Sequence, residues 1–372
     1  MASRKKEDEA TPGAPARGCP AGAAANLACG GWGQGLRVGL GLIFGLLAGG
    51  RLMHAAPEAI PGLDGPGGPS VVLILGAPGE AEYAQALQRQ EERWTQVVKR
   101  AEGRLTVIGG TASTPERTTD GERVQQVLGE QVQASAGPTP LWVVFVGHGS
   151  FDGKEAKFNL RGPDLTPEQL SAWLAPALRP VAVVVASSGS APFLAKLARP
   201  GRVVIVATRS GYELNYARFG VYFADSVADP EADLDRDGQT SLLESFLRAS
   251  HRTAEFYRNE GRLLSEHALI DDTGDGLGTP AEWFRGTRAI KQAKDGAALD
   301  GLRAHQGHLV PSGPERSLTP AQRERRDALE QEIERLRQKK STLPAVEYER
   351  QLEALLLEVA RMYEGLPPAG SE

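Results

Sequence analysis

The stretch Leu141-Trp-Val-Val-Phe-Val-Gly-His-Gly149 runs through unbroken apolar residues and ends in a histidine bracketed by glycines. A run this short, rich in β-branched and aromatic side chains, reads as a strand buried on both faces. The same character recurs at 71–75, which ends in Gly76, at 105–108, which ends in Gly109-Gly110, and at 202–207. It recurs again at 181–185, which runs into Ala186-Ser187-Ser188-Gly189-Ser190. Helical periodicity fills the intervals. Leu87, Trp94, Val97 and Val98 mark one face of a helix over 80–101, another is expected over 123–132, and Thr166 with Pro167 opens a third. Strands without alternation, each followed by a helix, predict an α/β fold whose parallel sheet is sandwiched by helices on both faces.

In such sheets ligands bind beyond the carboxyl ends of the strands. Those ends carry His148, the Ser187 and Ser188 pair, and Arg209. Each is weak evidence alone. A histidine after a strand is more often a surface or satisfied residue than a base, and a Ser-Ser-Gly-Ser turn is usually only a loop. The flanking glycines strengthen the histidine, because they let the backbone turn and expose the imidazole.

Taken together, these features resemble the caspase, legumain and gingipain superfamily over residues 70–286. An apolar strand is followed by Gly147-His148-Gly149, then by about forty residues, a second apolar strand and a small-residue turn. The legumain branch and its bacterial relatives are most similar, with Ala-Thr-Arg-Ser-Gly at 207–211 adding to the likeness. The resemblance implies a caspase-like parallel-sheet sandwich and a peptidase dyad, with the histidine after the third strand and a cysteine after the fourth. The chain departs from that pattern. The nucleophile position falls on Ser187 in the caspase spacing and on Ala186 in the legumain spacing, and the two cysteines, Cys19 and Cys29, both lie near the start. The expectation is a catalytically silent module that binds a peptide or protein partner. The alternative is a serine hydrolase with Ser187 or Ser188 as nucleophile, His148 as base, and backbone N–H groups near Gly149 and Gly189 as an oxyanion site. That reading needs a carboxylate behind the imidazole, and Asp152 lies four residues on.

A second chemistry lies at 233–244. Asp233, Asp235 and Asp237 occupy positions 1, 3 and 5 of a twelve-residue EF-hand-like loop, and Gly238 supplies the sharp turn at position 6. Gln239 offers its carbonyl, Ser241 stands at the water-linked position and Glu244 closes the loop, while Thr240 replaces the usual aliphatic residue. These oxygen donors predict bound Ca²⁺ against the plainer reading of an acidic turn. A weaker copy comprises Asp271, Thr273, Asp275 and Glu282, with Pro280 interrupting it. Neither set contains a thiolate or histidine, which argues against zinc.

The remaining segments frame this core. Net charge is −5, which argues against a nucleic-acid partner. Residues 1–35 are rich in Ala, Gly and Pro with a basic start, the composition of a disordered tail. Within 36–53 an uncharged apolar run suits a signal peptide or a short membrane anchor. It predicts export, periplasmic or extracellular, or tethering to the cytoplasmic membrane. Residues 54–69 and 287–317 read as linkers. Over 318–365, Leu329, Ile333 and Leu336, then Tyr348, Leu352, Leu355, Val359 and Met362, repeat at heptad spacing around a Pro-containing turn. This predicts an antiparallel helical hairpin, either packed on its own core or serving as a homodimer contact.

Overall fold

The computed structural model describes residues 68–110, 118–133, 139–291, 294 and 298–364. Strand β1 (Ser70–Leu75) leads through α1 (Ala81–Arg100) to β2 (Arg104–Ile108), and α2 (Asp120–Gln133) leads to β3 (Leu141–Gly147). A small antiparallel hairpin, β4 (Gly149–Phe151) with β5 (Ala156–Phe158), precedes α3 (Pro167–Leu174). Then come β6 (Val181–Ser187), α4 (Ala191–Leu197), β7 (Arg202–Val206), α5 (Phe219–Ser226) and α6 (Leu242–Asn259). Short strands β8 (Leu269–Asp271), β9 (Thr279–Pro280), β10 (Phe284–Arg285) and β11 (Arg288–Ala289) follow. The chain closes with α7 (Leu302–Gln306), α8 (Gly313–Ser317), α9 (Pro320–Gln338) and α10 (Ala345–Tyr363).

The central sheet has the order β2-β1-β3-β6-β7-β8-β9. It is parallel through β7, whereas β8 and β9 extend it in antiparallel fashion. The period-two alternation of a strand sends successive side chains to opposite faces, so the apolar runs feed two cores. Leu73, Leu75, Trp142, Val144 and Val184 meet Trp94 of α1, Phe223 of α5 and Phe246 of α6. Val72, Ile74, Val143, Phe145 and Val183 meet Val124 and Leu128 of α2, Leu170 of α3 and Phe193 of α4. This is the helix-covered sandwich that the sequence pattern requires. Truncating Trp94 or Phe246, both fully buried, would cost roughly 3–5 kcal/mol.

The stretch read as a linker, 287–317, carries α7 and α8, and Ala304 and Leu309 are fully buried against the first core. The hairpin α9–α10 is fastened to that stretch. Arg326 pairs with Glu315 of α8 in a buried contact, and Gln306 of α7 donates to the Asp327 carbonyl and to Glu330 at 2.9 Å each. Leu329, Ile333 and Leu336 are buried, yet Leu356 and Leu357 of α10 are each 47% exposed. The apolar segment 36–53 lies outside the described residues. Among the described residues no helix is long and apolar enough to cross a membrane.

Candidate functional site

Register brings the two sequence motifs together. Gly147 at the end of β3 pairs with Ser187 at the end of β6, so His148 and Ser188 leave the sheet side by side. The approach is close enough to demand glycine at 149, where a Cβ would stand 2.3 Å from the Ser188 carbonyl oxygen. The Gly149 N–H donates to Ser188 Oγ at 3.1 Å, and that hydroxyl donates to the Gly149 carbonyl at 3.1 Å. Ser188 is therefore engaged by backbone, not by the histidine.

Ser187 is fully buried and its Oγ has no hydrogen-bond partner. The His148 ring is half-buried, edge-on to Tyr83 at 4.6 Å and Tyr216 at 5.4 Å between centroids. It is less open than the flanking glycines suggested, and this burial pushes its imidazole below the ordinary histidine value. Asp152 does not serve as its carboxylate. Its Oδ1 accepts the Lys154 and Glu155 N–H groups at 2.8 and 2.7 Å and caps the β4–β5 turn.

The oxyanion expectation fares similarly. With the Gly149 N–H on Ser188 and the Gly189 N–H on the Glu213 carbonyl at 2.9 Å, both amides are already engaged. Gly189 adopts φ +60°, a left-handed turn that delivers Ser190 inward. Ser190 Oγ accepts the Ala207 and Thr208 N–H groups at 3.1 and 3.2 Å and contacts Thr208 Oγ1 at 3.1 Å. That network locks the turn after β6 onto the end of β7.

In the acidic loop, carboxylate oxygens of Asp233, Asp235 and Asp237 lie within 4.8 Å of one another. Asp233 accepts the Arg236 N–H at 2.6 Å and the Gly238 N–H at 3.0 Å, with Gly238 at φ +88° as the turn requires. Burial pushes the Asp237 carboxyl up to about 6, with Asp235 and Asp233 adding to the rise. The hydrogen bond from His305 Nε2, 3.2 Å from Asp235 Oδ2, holds the Asp235 carboxyl below its usual range. Glu244 stands apart from the trio. It accepts the Leu234 N–H at 2.7 Å and the Ser241 N–H and hydroxyl at 2.8 Å, forming the capping box of α6. Gln239 bridges Asp237 and the Ser312 N–H through its side chain. The donor set is hard oxygen, which fits Ca²⁺.

The weaker copy does not assemble. Asp271 accepts the Gly274 and Gly276 N–H groups at 2.7 Å each, and Asp275 accepts the Leu277 N–H at 2.8 Å. Glu282 lines a cavity of about 280 Å³ beside α6, and Thr273 contacts Asp271 at 3.4 Å. Among the described residues these side chains do not converge as the Asp233 trio does. The acid beside them is Asp300, which accepts the Asp272 N–H at 3.0 Å and the Thr279 hydroxyl at 2.5 Å.

No family model matches the chain, and no curated protein matches it in sequence. Solved structures do. Caspase-1 from Spodoptera frugiperda is 10% identical with a TM-score of 0.36, the match covering 55% of this chain and 86% of that one. The Drosophila initiator caspase Dronc is 11% identical with a TM-score of 0.38, covering 56% and 81%. A protein from Geobacter sulfurreducens is 12% identical with a TM-score of 0.32, covering 50% and 89%. The likeness is one of fold.

Several residues around the site escape sequence reasoning. Tyr83 occupies an otherwise ordinary amphipathic helix, and Tyr216 precedes one, so neither signals contact with His148. Glu213 approaches His267 Nδ1 at 2.6 Å, accepts the Arg209 N–H at 3.0 Å and presents its carbonyl to Gly189. Tyr212 and Leu214, 71% and 50% exposed, stand above Phe151 and Gly189.

Proposed function

We propose that this chain is a caspase-fold, peptidase-like protein that binds a peptide or protein partner without cutting it, with Ca²⁺ steadying the domain. The observation that carries the reading is the state of the β3 and β6 ends. No cysteine stands there, Ser187 is fully buried without a partner, and Ser188 is held by Gly149. A serine nucleophile requires an aligned base and waiting oxyanion donors. Here the imidazole packs on two tyrosines and both candidate amides are engaged, which disfavours the serine-hydrolase alternative. The exposed Tyr212 and Leu214 beside that end support contact with an apolar side chain of a partner.

For Ca²⁺ the supporting fact is convergence of the Asp233, Asp235 and Asp237 carboxylates at the entrance to α6. The ion would neutralise three crowded acids and tie α5, α6 and α7 together. The decisive experiment is labelling of the full chain with a serine-reactive phosphonate in the presence of calcium, with Ser187→Ala and Ser188→Ala as controls. No serine-dependent adduct and no peptide cleavage are expected. An adduct lost in either variant sinks the non-catalytic reading.

A further inference from the structure

At the opposite end of the sheet, the amino ends of β6 and β7 open onto a cavity of about 260 Å³ whose wall carries Arg179, Arg199, Arg202 and Arg303. Arg202, the first residue of β7, is 5% exposed, and donates to the carbonyls of Leu197 at 2.9 Å and Leu174 at 3.0 Å. Arg199 donates to the Ala175 carbonyl at 2.7 Å, and Arg179 to the carbonyls of Thr139 and Pro140 at 2.9 and 3.2 Å. All these partners are neutral. Among the described residues no carboxylate forms an ion pair with any of the four, although Arg303 lies within electrostatic reach of Asp272 and Asp327. Burial and the like charge of Arg199 lower the Arg202 guanidinium to about 10.

Helix ends explain part of this arrangement. The carbonyls of Leu174, Ala175 and Leu197 lie at the carboxyl ends of α3 and α4, where cations are favoured. Each helix end contributes about half a negative charge and Asp272 and Asp327 offset part of the charge on Arg303, which still leaves the wall of the cavity net positive. Arg202 is the buried member of the four, and a buried charge without a counter-charge is costly. Five N–H groups per guanidinium also exceed the carbonyls supplied here, and their fork matches phosphate oxygens in paired hydrogen bonds. The cavity lies below the range of about 300–1,000 Å³ that takes drug-sized ligands, so it suits a compact anion.

We propose that this cavity binds a phosphate-bearing anion, gripped by Arg199, Arg202 and Arg303. It lies about 20 Å from the His148 end, the length of β6 at about 3.3 Å per residue, and stands independently of the reading given to that end. The phosphate can arrive as a soluble ion or on the head group of an anionic lipid. Pyrophosphate titration of the full chain by calorimetry, at ionic strength matched with KCl, tests the first source. Sedimentation with phosphatidic acid vesicles tests the second.

Binding to either probe should weaken about tenfold or more in Arg199→Ala/Arg303→Ala. Both residues are exposed, and Arg202 is left in place because it also holds α3 and α4. On the unmodified protein, pyrophosphate or the vesicles should protect Arg199 and Arg303 from phenylglyoxal, read by peptide mass spectrometry. Pyrophosphate binding without vesicle binding assigns a soluble ligand, and variant-sensitive vesicle binding assigns the lipid. Binding to neither, equal binding by the double variant, or absence of arginine protection overturns the proposal.

Discussion

Replacing the serines of the turn after β6 one at a time should change stability in opposite directions. Ser190→Ala removes the acceptor of the buried Thr208 N–H, one of two acceptors of the Ala207 N–H, which keeps the Val185 carbonyl at 3.1 Å, and the contact with Thr208 Oγ1. A stranded buried donor costs about 1–3 kcal/mol and an ordinary hydrogen bond about 1, so stranding Thr208 N–H and losing the other contacts predicts a loss of roughly 2–4 kcal/mol. Ser188→Ala removes one hydroxyl that both accepts from and donates to Gly149, a loss of about 1–2 kcal/mol. Ser187→Ala deletes a buried hydroxyl that bonds to nothing. Relief of its desolvation should leave the protein unchanged or up to about 1 kcal/mol more stable. Urea unfolding followed by circular dichroism reads all three, provided the slope with denaturant stays constant. The expected order is Ser187→Ala, wild type, Ser188→Ala, Ser190→Ala, from most to least stable. A loss above about 1 kcal/mol at Ser187 would refute the reasoning, most clearly if His148 titration moved with it. That result would mean that the hydroxyl and the imidazole are bonded.

Calcium should raise the melting temperature and bind somewhere between about 10⁻⁷ and 10⁻³ M; Asp233→Ala should abolish both effects, and unchanged affinity and melting would exclude the loop. Asp300 is pushed up to about 7 by burial, with Asp272 adding to the rise. A carboxyl that titrates higher folded than unfolded contributes fully below about pH 4 and loses that contribution as pH rises through about 7. Asp300→Asn should therefore flatten that decline and be more stable than wild type at pH 8 in urea melts, and a parallel pH profile would contradict it. If α10 forms a homodimer contact, Leu356→Glu/Leu357→Glu should convert a dimer to a monomer in sedimentation velocity, whereas a monomeric wild type removes the idea. Ser187→Cys should not create peptide cleavage with or without calcium, and any turnover would contradict that expectation.

Strands β1, β3, β6 and β7 were legible because they are buried on both faces, which leaves a continuous apolar run such as Trp142–Val146 or Val181–Ala186. The α3 cap was legible for a different reason, since Thr166 and Gln169 satisfy each other's backbone locally. What failed to show was what tertiary contact creates. β8 has three residues, and its antiparallel pairing to β7 depends on the loops before it. In the 287–317 stretch, Gly and Pro hid α7 and α8, which form because Ala304 and Leu309 find a core. Composition misled in the same way for charge. A net value of −5 conceals four arginines scattered along the chain that topology gathers at one end of the sheet. Around the candidate dyad the sequence pointed to His148 with Ser187 or Ser188, without deciding between the two serines. It could not reveal that Ser190, two residues on, carries the structural network.

On the proposed reading, the absent thiol is only one of the features that set this site apart from a cysteine–histidine dyad. A cysteine at 187 would enter a position with no solvent exposure, where burial in apolar surroundings raises a thiol's pKa and suppresses thiolate. The neighbouring imidazole, depressed by its own burial, is a poor counter-ion for such a thiolate. An acyl intermediate would also need donors for its oxyanion, and losing one such donor typically costs about 10²–10³ in rate. Here the Gly149 and Gly189 amides would have to release Ser188 and the Glu213 carbonyl first. Each release is opposed by groups that hold the end of the sheet together, so the proposed reading expects that introducing one sulfur atom does not by itself create the chemistry. On the proposed non-catalytic reading, a position without a thiol and internal satisfaction of its surroundings are mutually consistent. Once no intermediate must be stabilised, hydrogen-bonding groups at a strand end are better satisfied by each other.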